Sequence, residues 1–152
     1  MTEKPSLTLR RRFAAVPQLV YRAWTDPTMI LMWWGPTGAK TLSAETDPRP
    51  GGRYHIVFTT PDGEVHDVSG EYREAEEFTV LSFGWMWRTL PDRASFVRLT
   101  FVDDGKGGTD FTMHHSQFFD EAARDRHIWG WTGALDKLEA LMARPDIDNV
   151  NF

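Results

Sequence analysis

The chain predicts an α+β fold: an antiparallel β-sheet, two short helices after the first strand, and one long C-terminal helix packed across the sheet. Three observations carry this. Short strand-like segments fill the middle of the chain, separated by turns rich in glycine and proline. One long segment near the C-terminus has helical spacing and a continuous apolar stripe, and such a stripe must cover something. Lastly, seven Trp, ten Phe and three Tyr stand in 152 residues that contain no Cys. Each of these rings buries roughly 150–250 Å². A small domain rarely needs so many to close its core, so an aromatic-lined cavity for an apolar ligand becomes a working hypothesis. Phe58, Phe83, Trp85, Trp87, Phe101, Phe111, Trp129 and Trp131 stand at positions that can share one interior.

The elements follow in order. Residues 6–13 read as a first strand, with Leu7, Leu9 and Phe13 offering apolar contacts. Pro17 suits the first turn of a helix, and Val16, Leu19, Val20, Ala23 and Trp24 keep helical spacing. Asp26-Pro27 breaks that helix and starts a second: Asp26 can cap it and Pro27 takes the first position. Met29, Ile30, Met32, Trp33 and Trp34 lie on this helix, and Gly35-Pro36 ends it. Adjacent helical positions are about 100° apart, so only one of Trp33 and Trp34 is expected to be fully buried, and the exposed one is a candidate cavity lid or partner contact. Residues 41–46 and 54–60 read as strands joined by the turn 48–52. Pro61-Asp62-Gly63 is a hairpin signal. Strands are expected at 64–74, 78–87, 95–102 and 109–117, the last two joined by the glycine-rich turn 103–108. Asp120 can cap the long helix. Its stripe is Ile128, Trp131, Leu135, Leu138 and Met142, spaced by threes and fours, and Arg144-Pro145 stops it.

Composition narrows the function. Seventeen basic against 22 acidic residues give a net charge of −5, which argues against nucleic acid as a partner. The one basic run, Arg10 to Arg12, reads as a solvated strand edge. Without Cys there are no disulfides, thiol nucleophiles or thiolate metal sites. The N-terminus is polar and lacks a secretory apolar region. No stretch approaches the roughly 18 apolar residues of a membrane span. The expectation is one cytoplasmic domain over residues 1–152, with its core at about 6–143, and no membrane partner.

Several motifs resemble the helix-grip superfamily, also called START-like or SRPBCC. The similarity is strongest to the branch that includes the C-terminal domain of the heat-shock protein 90 ATPase activator. These motifs are YRAWTDPTMILMWWGP ending at Pro36, RPGGRY from Arg49 to Tyr54 with the hairpin after it, and GEYRE from Gly70 to Glu74. Further on come GGTDFTMHHSQF from Gly107, the segment Glu121 to Asp125, and GWTGALDKLEALM. The resemblance implies a helix-grip fold: a curved antiparallel sheet wrapped around the C-terminal helix, the two short helices closing one end, and a cavity between sheet and helix. Relatives of this kind include chaperone activators, lipid and hormone carriers, polyketide cyclases and self-sacrificing resistance proteins, so fold alone does not choose among functions.

No catalytic motif of the metalloprotease, phosphate-loop or nucleophile-elbow type occurs. The candidates are histidines and rings. His115 shares strand parity with Phe111 and Met113, so it faces the interior if they do, while His114 points out. His66 shares parity with Val68, Gly70 and Tyr72 and can also reach the interior unless a bulge near Gly70 reverses it. His55 is expected to point outward, and His127 to line the edge of the long helix. Trp85 and Trp87 extend the wall begun by Leu81 and Phe83. No carboxylate stands at an obvious ligand spacing from a histidine, so neither a metal nor another cofactor is expected.

These residues support a small hydrophobic or aromatic ligand held by Phe58, His66, Trp85, Trp87, Met113, His115 and Trp131. The alternatives are a cyclase- or hydratase-type enzyme using His115 or His66 as acid or base, and a chaperone cofactor with an exposed aromatic patch at Trp33 and Trp34. A homodimer and a chaperone partner are both compatible with the resemblance.

Overall fold

The computed structural model describes residues 3–147. The chain runs β1 (Leu7–Phe13), α1 (Pro17–Thr25), α2 (Pro27–Trp33), β2 (Lys40–Thr46), β3 (Arg53–Thr59), β4 (Val65–Glu76), β5 (Val80–Trp87), β6 (Ser95–Asp103), β7 (Thr109–Ser116) and α3 (Glu121–Met142), with a short 3-10 turn at Pro91–Arg93. The seven strands form one sheet in the order β1-β7-β6-β5-β4-β3-β2. Every neighbouring pair is antiparallel. Strands β2 to β7 therefore form a meander, and β1 closes its far edge by pairing with β7. This is the helix-grip architecture that the motifs imply.

Local chemistry explains the helix boundaries. The Asp26 carboxylate accepts from the Thr28 amide at 2.9 Å, capping α2, and Asp120 accepts from the Ala123 amide at 2.8 Å, capping α3. Each satisfies one of the amides that a first helical turn leaves without a partner. Gly35 ends the α2 region with φ +87°, and a Cβ there would stand 2.7 Å from the Ala39 Cβ. Only glycine fits that turn.

The inward faces of the strands read straight from alternation. Tyr54, Ile56 and Phe58 of β3, Leu81, Phe83 and Trp85 of β5, Val97, Leu99 and Phe101 of β6, and Phe111, Met113 and His115 of β7 are all buried. Against them α3 presents Ala123, Trp131, Leu135, Leu138 and Met142, while α1 and α2 contribute Val20, Trp24, Ile30 and Trp33. These residues belong to one hydrophobic cluster.

Four expectations need correction. Trp129 does not join the interior: it is 67% exposed, and Ile128 is 36% exposed. The stripe of α3 that faces the sheet instead begins at Ala123 and His127, eight and four residues before Trp131, which turns Ile128 and Trp129 outward. Trp33 and Trp34 are both buried, at 1% and 4% exposure. The 100° rule fails because α2 ends at Trp33, and Trp34 is an extended C-cap with ψ 151°. Strand β5 begins at Val80 rather than residue 78. Phe78 lies in the preceding turn with φ +68°, held edge-on to the Tyr21 ring at 5.8 Å. Finally, the basic run is only partly solvated: Arg11 reaches Asp136 of α3 at 2.8 Å, and Arg12 reaches Asp104 at 2.6 Å.

Leu138 is fully buried beneath the sheet. Leu138→Ala should cost about 2–5 kcal/mol through lost transfer energy and the cavity left behind. Urea melts of the two proteins are the measurement, and a loss under about 0.5 kcal/mol would mean that the α3 face is not packed.

Candidate functional site

The rings beneath α3 form one continuous assembly. Trp131 packs on Trp85 with centroids 5.0 Å apart, on Trp34 at 5.7 Å and on Trp24 at 5.7 Å. Trp34 also meets Trp85 at 5.9 Å, so it sits where α2, β5 and α3 converge. The expected void lined by Trp85 and Trp131 is therefore occupied by these rings. An internal cavity lies one layer away. It is bounded by Trp24, Ile30 and Trp34 on the helix side and by Tyr54, Ile56, Tyr72 and Phe83 on the sheet, with a volume of about 10 Å³. That is at the lower limit for a single water. A larger, open depression of about 470 Å³ lies on the outer face of the sheet, among Glu45, Arg53, His55, Asp67 and Arg88. Its charged, open lining does not suit an apolar ligand.

The histidines are organised by indole donors. His115 has no exposed surface. Its Nδ1 accepts from the Trp131 Nε1–H at 3.0 Å, and its Nε2 lies 2.7 Å from the Ser95 hydroxyl. An indole nitrogen only donates, so His115 must be neutral with its proton on Nε2, given to the Ser95 oxygen. The pair resembles a Ser–His dyad, but the proton points the wrong way for His115 to activate the serine as a base. His127 takes the opposite tautomer. Its Nε2 accepts from both Trp85 and Trp87, each at 3.2 Å, which leaves Nδ1–H to donate to the Ala123 carbonyl at 2.7 Å. Burial pushes the His115 pKa well below the usual imidazole range, with smaller contributions from the charges of His127 and His114. His127 is also lowered by burial first, against the Ala123 carbonyl, which favours its charged form.

The other candidates separate by element. Met113 lies beneath His115 on β7 and is fully buried. Phe58 is buried and stacks on His66 with centroids 5.0 Å apart. Trp87 closes the group, 6.1 Å from Phe58 and 6.0 Å from His66. His66 thus keeps its inward parity, because the β4 irregularity falls between Tyr72 and Glu74, beyond it. His66, Trp87 and His127 form a half-buried rim against buried Phe58, whereas Trp85, Met113, His115 and Trp131 form the floor. His114 is exposed and meets the Thr8 hydroxyl at 3.0 Å. His55 turns outward to Asp67 at 2.9 Å.

The hairpin after β3 overturns the expectation that no carboxylate stands near a histidine. Asp62, Glu64 and His66 bring ligand atoms within 4.8 Å of one another. The trio is already bonded internally. The Thr60 hydroxyl donates to Asp62, so it can only accept from the His66 Nε2–H at 3.0 Å. The nitrogen facing the carboxylates therefore carries a proton rather than a free lone pair. Sequence reading also missed Trp24 and Ser95 as parts of the site, and it weighed Trp34 only as an exposed lid or partner contact. Trp34 had a usable signal in the glycine that follows it, since a helix stop there frees its side chain from helical geometry. Lys137 adds a further anchor, its Nζ donating to the carbonyls of Trp34 at 3.2 Å and Pro36 at 3.1 Å.

The histidine pair makes stability depend on pH. Both imidazoles are held neutral in the fold but titrate near 6.5 when unfolded. The unfolded chain therefore binds more protons below that pH, and stability falls as pH drops through about 6.5 and below. The lowered carboxylates, such as Glu74 with Arg98 and Asp104 with its backbone partners, contribute stability that is kept across this range and lost only at lower pH, in the carboxylate range. Urea midpoints between about pH 7.5 and pH 5 should decline, and His127→Gln, which keeps an acceptor but does not titrate, should reduce the slope. A flat profile in the parent protein would show that the imidazoles are not buried neutral.

Comparison with known proteins places this geometry. A family model described as Activator of Hsp90 ATPase homolog 1-like protein matches residues 14–143. Among solved structures, a Chromobacterium violaceum protein is 26% identical, with a TM-score of 0.82 over 91% of this chain and 97% of that one. The AHSA1 protein of Silicibacter pomeroyi is 27% identical, with a TM-score of 0.80 over 91% of this chain and 98% of that one. A Nitrosomonas europaea protein, 22% identical with a TM-score of 0.78 over 92% of this chain and 95% of that one, shares the fold. No curated protein matches significantly. Among the described residues no helix is long and apolar enough to cross a membrane. With a family match that spans both the α1–α2 segment and α3, the chain belongs to the Activator of Hsp90 ATPase homolog 1-like family of helix-grip domains.

Proposed function

We propose that this protein binds one small, flat, apolar or aromatic molecule inside the grip, where α1 and α2 face β3 to β5. The observation that carries the reading is the internal cavity beside Trp34. All seven of its lining residues are buried, five of them are aromatic, and Trp34 packs between it and both Trp85 and Trp131. At about 10 Å³ the cavity is the closed form of the site. Rotating the Trp34 indole away opens a space of one bicyclic ring, and Trp85 and Trp131 become its walls. The backbone around Trp34 stays in place because Lys137 holds the carbonyls of Trp34 and Pro36, so opening is a side-chain motion. The half-buried rings of His66 and Trp87, backed by buried Phe58, lie at the hairpin end of the same assembly and supply the ring faces a planar ligand meets on entry. Such a lining, mostly apolar with few polar groups, suits a small uncharged molecule.

The competing partner-surface reading asked for exposed indoles at Trp33 and Trp34, and both are buried.

Naphthalene, which matches the indole in shape and lacks polar groups, is the direct probe. Titration followed by the tryptophan indole N–H signals should give a single saturable site, with the resonances of Trp34, Trp85 and Trp131 shifting and exposed Trp129 unmoved. Trp34→Ala should bind naphthalene more tightly than the parent protein, since no ring must be displaced, and the ligand should raise its melting temperature. No saturable shift in either protein, or a shift confined to Trp129, would sink the proposal.

A further inference from the structure

Trp24 is 3% exposed, and its Nε1 is the only buried side-chain nitrogen or oxygen among the described residues without a hydrogen-bond partner. The other deeply placed indoles with assigned donors are served from within the fold. Trp33 donates to the Ala23 carbonyl at 2.9 Å, Trp131 to His115, and Trp85 and Trp87 to His127. Buried N–H groups are almost always paired, so an exception calls for a partner of its own. Trp24 is also locked in place: it stacks on Phe111 with an interplanar angle of 17° and meets Trp33 at 4.6 Å. It cannot swing out to find water. It lines the internal cavity beside Trp34.

We propose that the Trp24 indole N–H is the polar recognition element of the ligand site, donating to an uncharged acceptor oxygen, such as a ketone carbonyl, on the aromatic molecule that the grip binds. This rests on the ligand-binding reading above. Two features fix the ligand class. The unpaired group is a donor, so the ligand must bring an acceptor. The cavity lining contains no Lys or Arg, and Lys137 is committed to two carbonyls, so a carboxylate would be buried without a counter-charge. The Tyr54 hydroxyl, also in the lining, gives its proton to the Gly84 carbonyl at 2.6 Å. The Trp34 indole and the Tyr72 hydroxyl also stand in the lining, but Trp24 carries the one fully buried donor there without a partner, and so supplies the fixed polar contact of the site.

Acetophenone, ethylbenzene and benzoate have nearly the same shape and differ at the position that matters. Acetophenone should bind about threefold to tenfold more tightly than ethylbenzene, the range of one neutral hydrogen bond, and benzoate should bind weakest. The Trp24 indole proton should move downfield with acetophenone and stay with ethylbenzene. In Trp24→Phe the preference for the ketone should vanish while ethylbenzene still binds. Should that variant fail to fold, the downfield shift in the parent protein decides alone. If acetophenone and ethylbenzene bind alike and the Trp24 proton does not respond, a bound water or nothing at all serves that donor and the inference is wrong, although the binding reading stands. If neither of these probes nor naphthalene binds, the reading itself fails and the inference falls with it.

Discussion

A buried indole brings its N–H with it, and the interior of this protein is arranged around that constraint. A tryptophan offers large apolar area, but its nitrogen donates and never accepts. Packing Trp33, Trp85, Trp87 and Trp131 under one sheet therefore demands a matching set of acceptors deep inside. The fold supplies a helix carbonyl for Trp33, His115 for Trp131 and His127 for the β5 pair. The two histidines are neutral because the indoles need lone pairs, and each must send its remaining proton to a nearby oxygen. Ser95 and the Ala123 carbonyl are those oxygens. Residues that look like catalytic groups in isolation thus act as adaptors between aromatic rings.

The same constraint links structure to function. His127 joins α3 to β5, and His115 joins β7 to α3, so the two histidines tie the long helix to both halves of the sheet. Arg11 strengthens the edge of that join. It lies on the inward-facing parity of β1, yet it reaches Asp136 and Glu139 on α3. An inward-pointing charge on an edge strand also discourages pairing with other chains. At the opposite edge, α2 packs beside β2 and leads into Trp34. Lys137 holds the backbone that leaves Trp34 through the carbonyls of Trp34 and Pro36.

Much of the fold was legible in the sequence. Alternation in β3, β5 and β7 assigned the inward faces, because a strand has a period of two whatever its neighbours are. The caps at Asp26 and Asp120 are local chemistry and sat where the residues placed them. The inward position of His115 followed from parity with Phe111 and Met113. Tertiary structure alone decided the rest. Helical spacing placed Trp131, Leu135, Leu138 and Met142 on the buried face, but it misplaced the start of the stripe, because steps of three and of four are both helical and the face runs back through His127 and Ala123 rather than Ile128. Trp34 escaped helical geometry because the chain turns extended at that residue, and an end residue owes its direction to what it packs against. The void expected beside Trp85 and Trp131 was filled by Trp34, a residue distant in sequence from both. Which indole finds an acceptor, and that Trp24 does not, depends on atoms brought together from α1, α3, β5 and β7. No local pattern encodes such a meeting, since periodicity reports which face a residue lies on and not which atom waits across the interior.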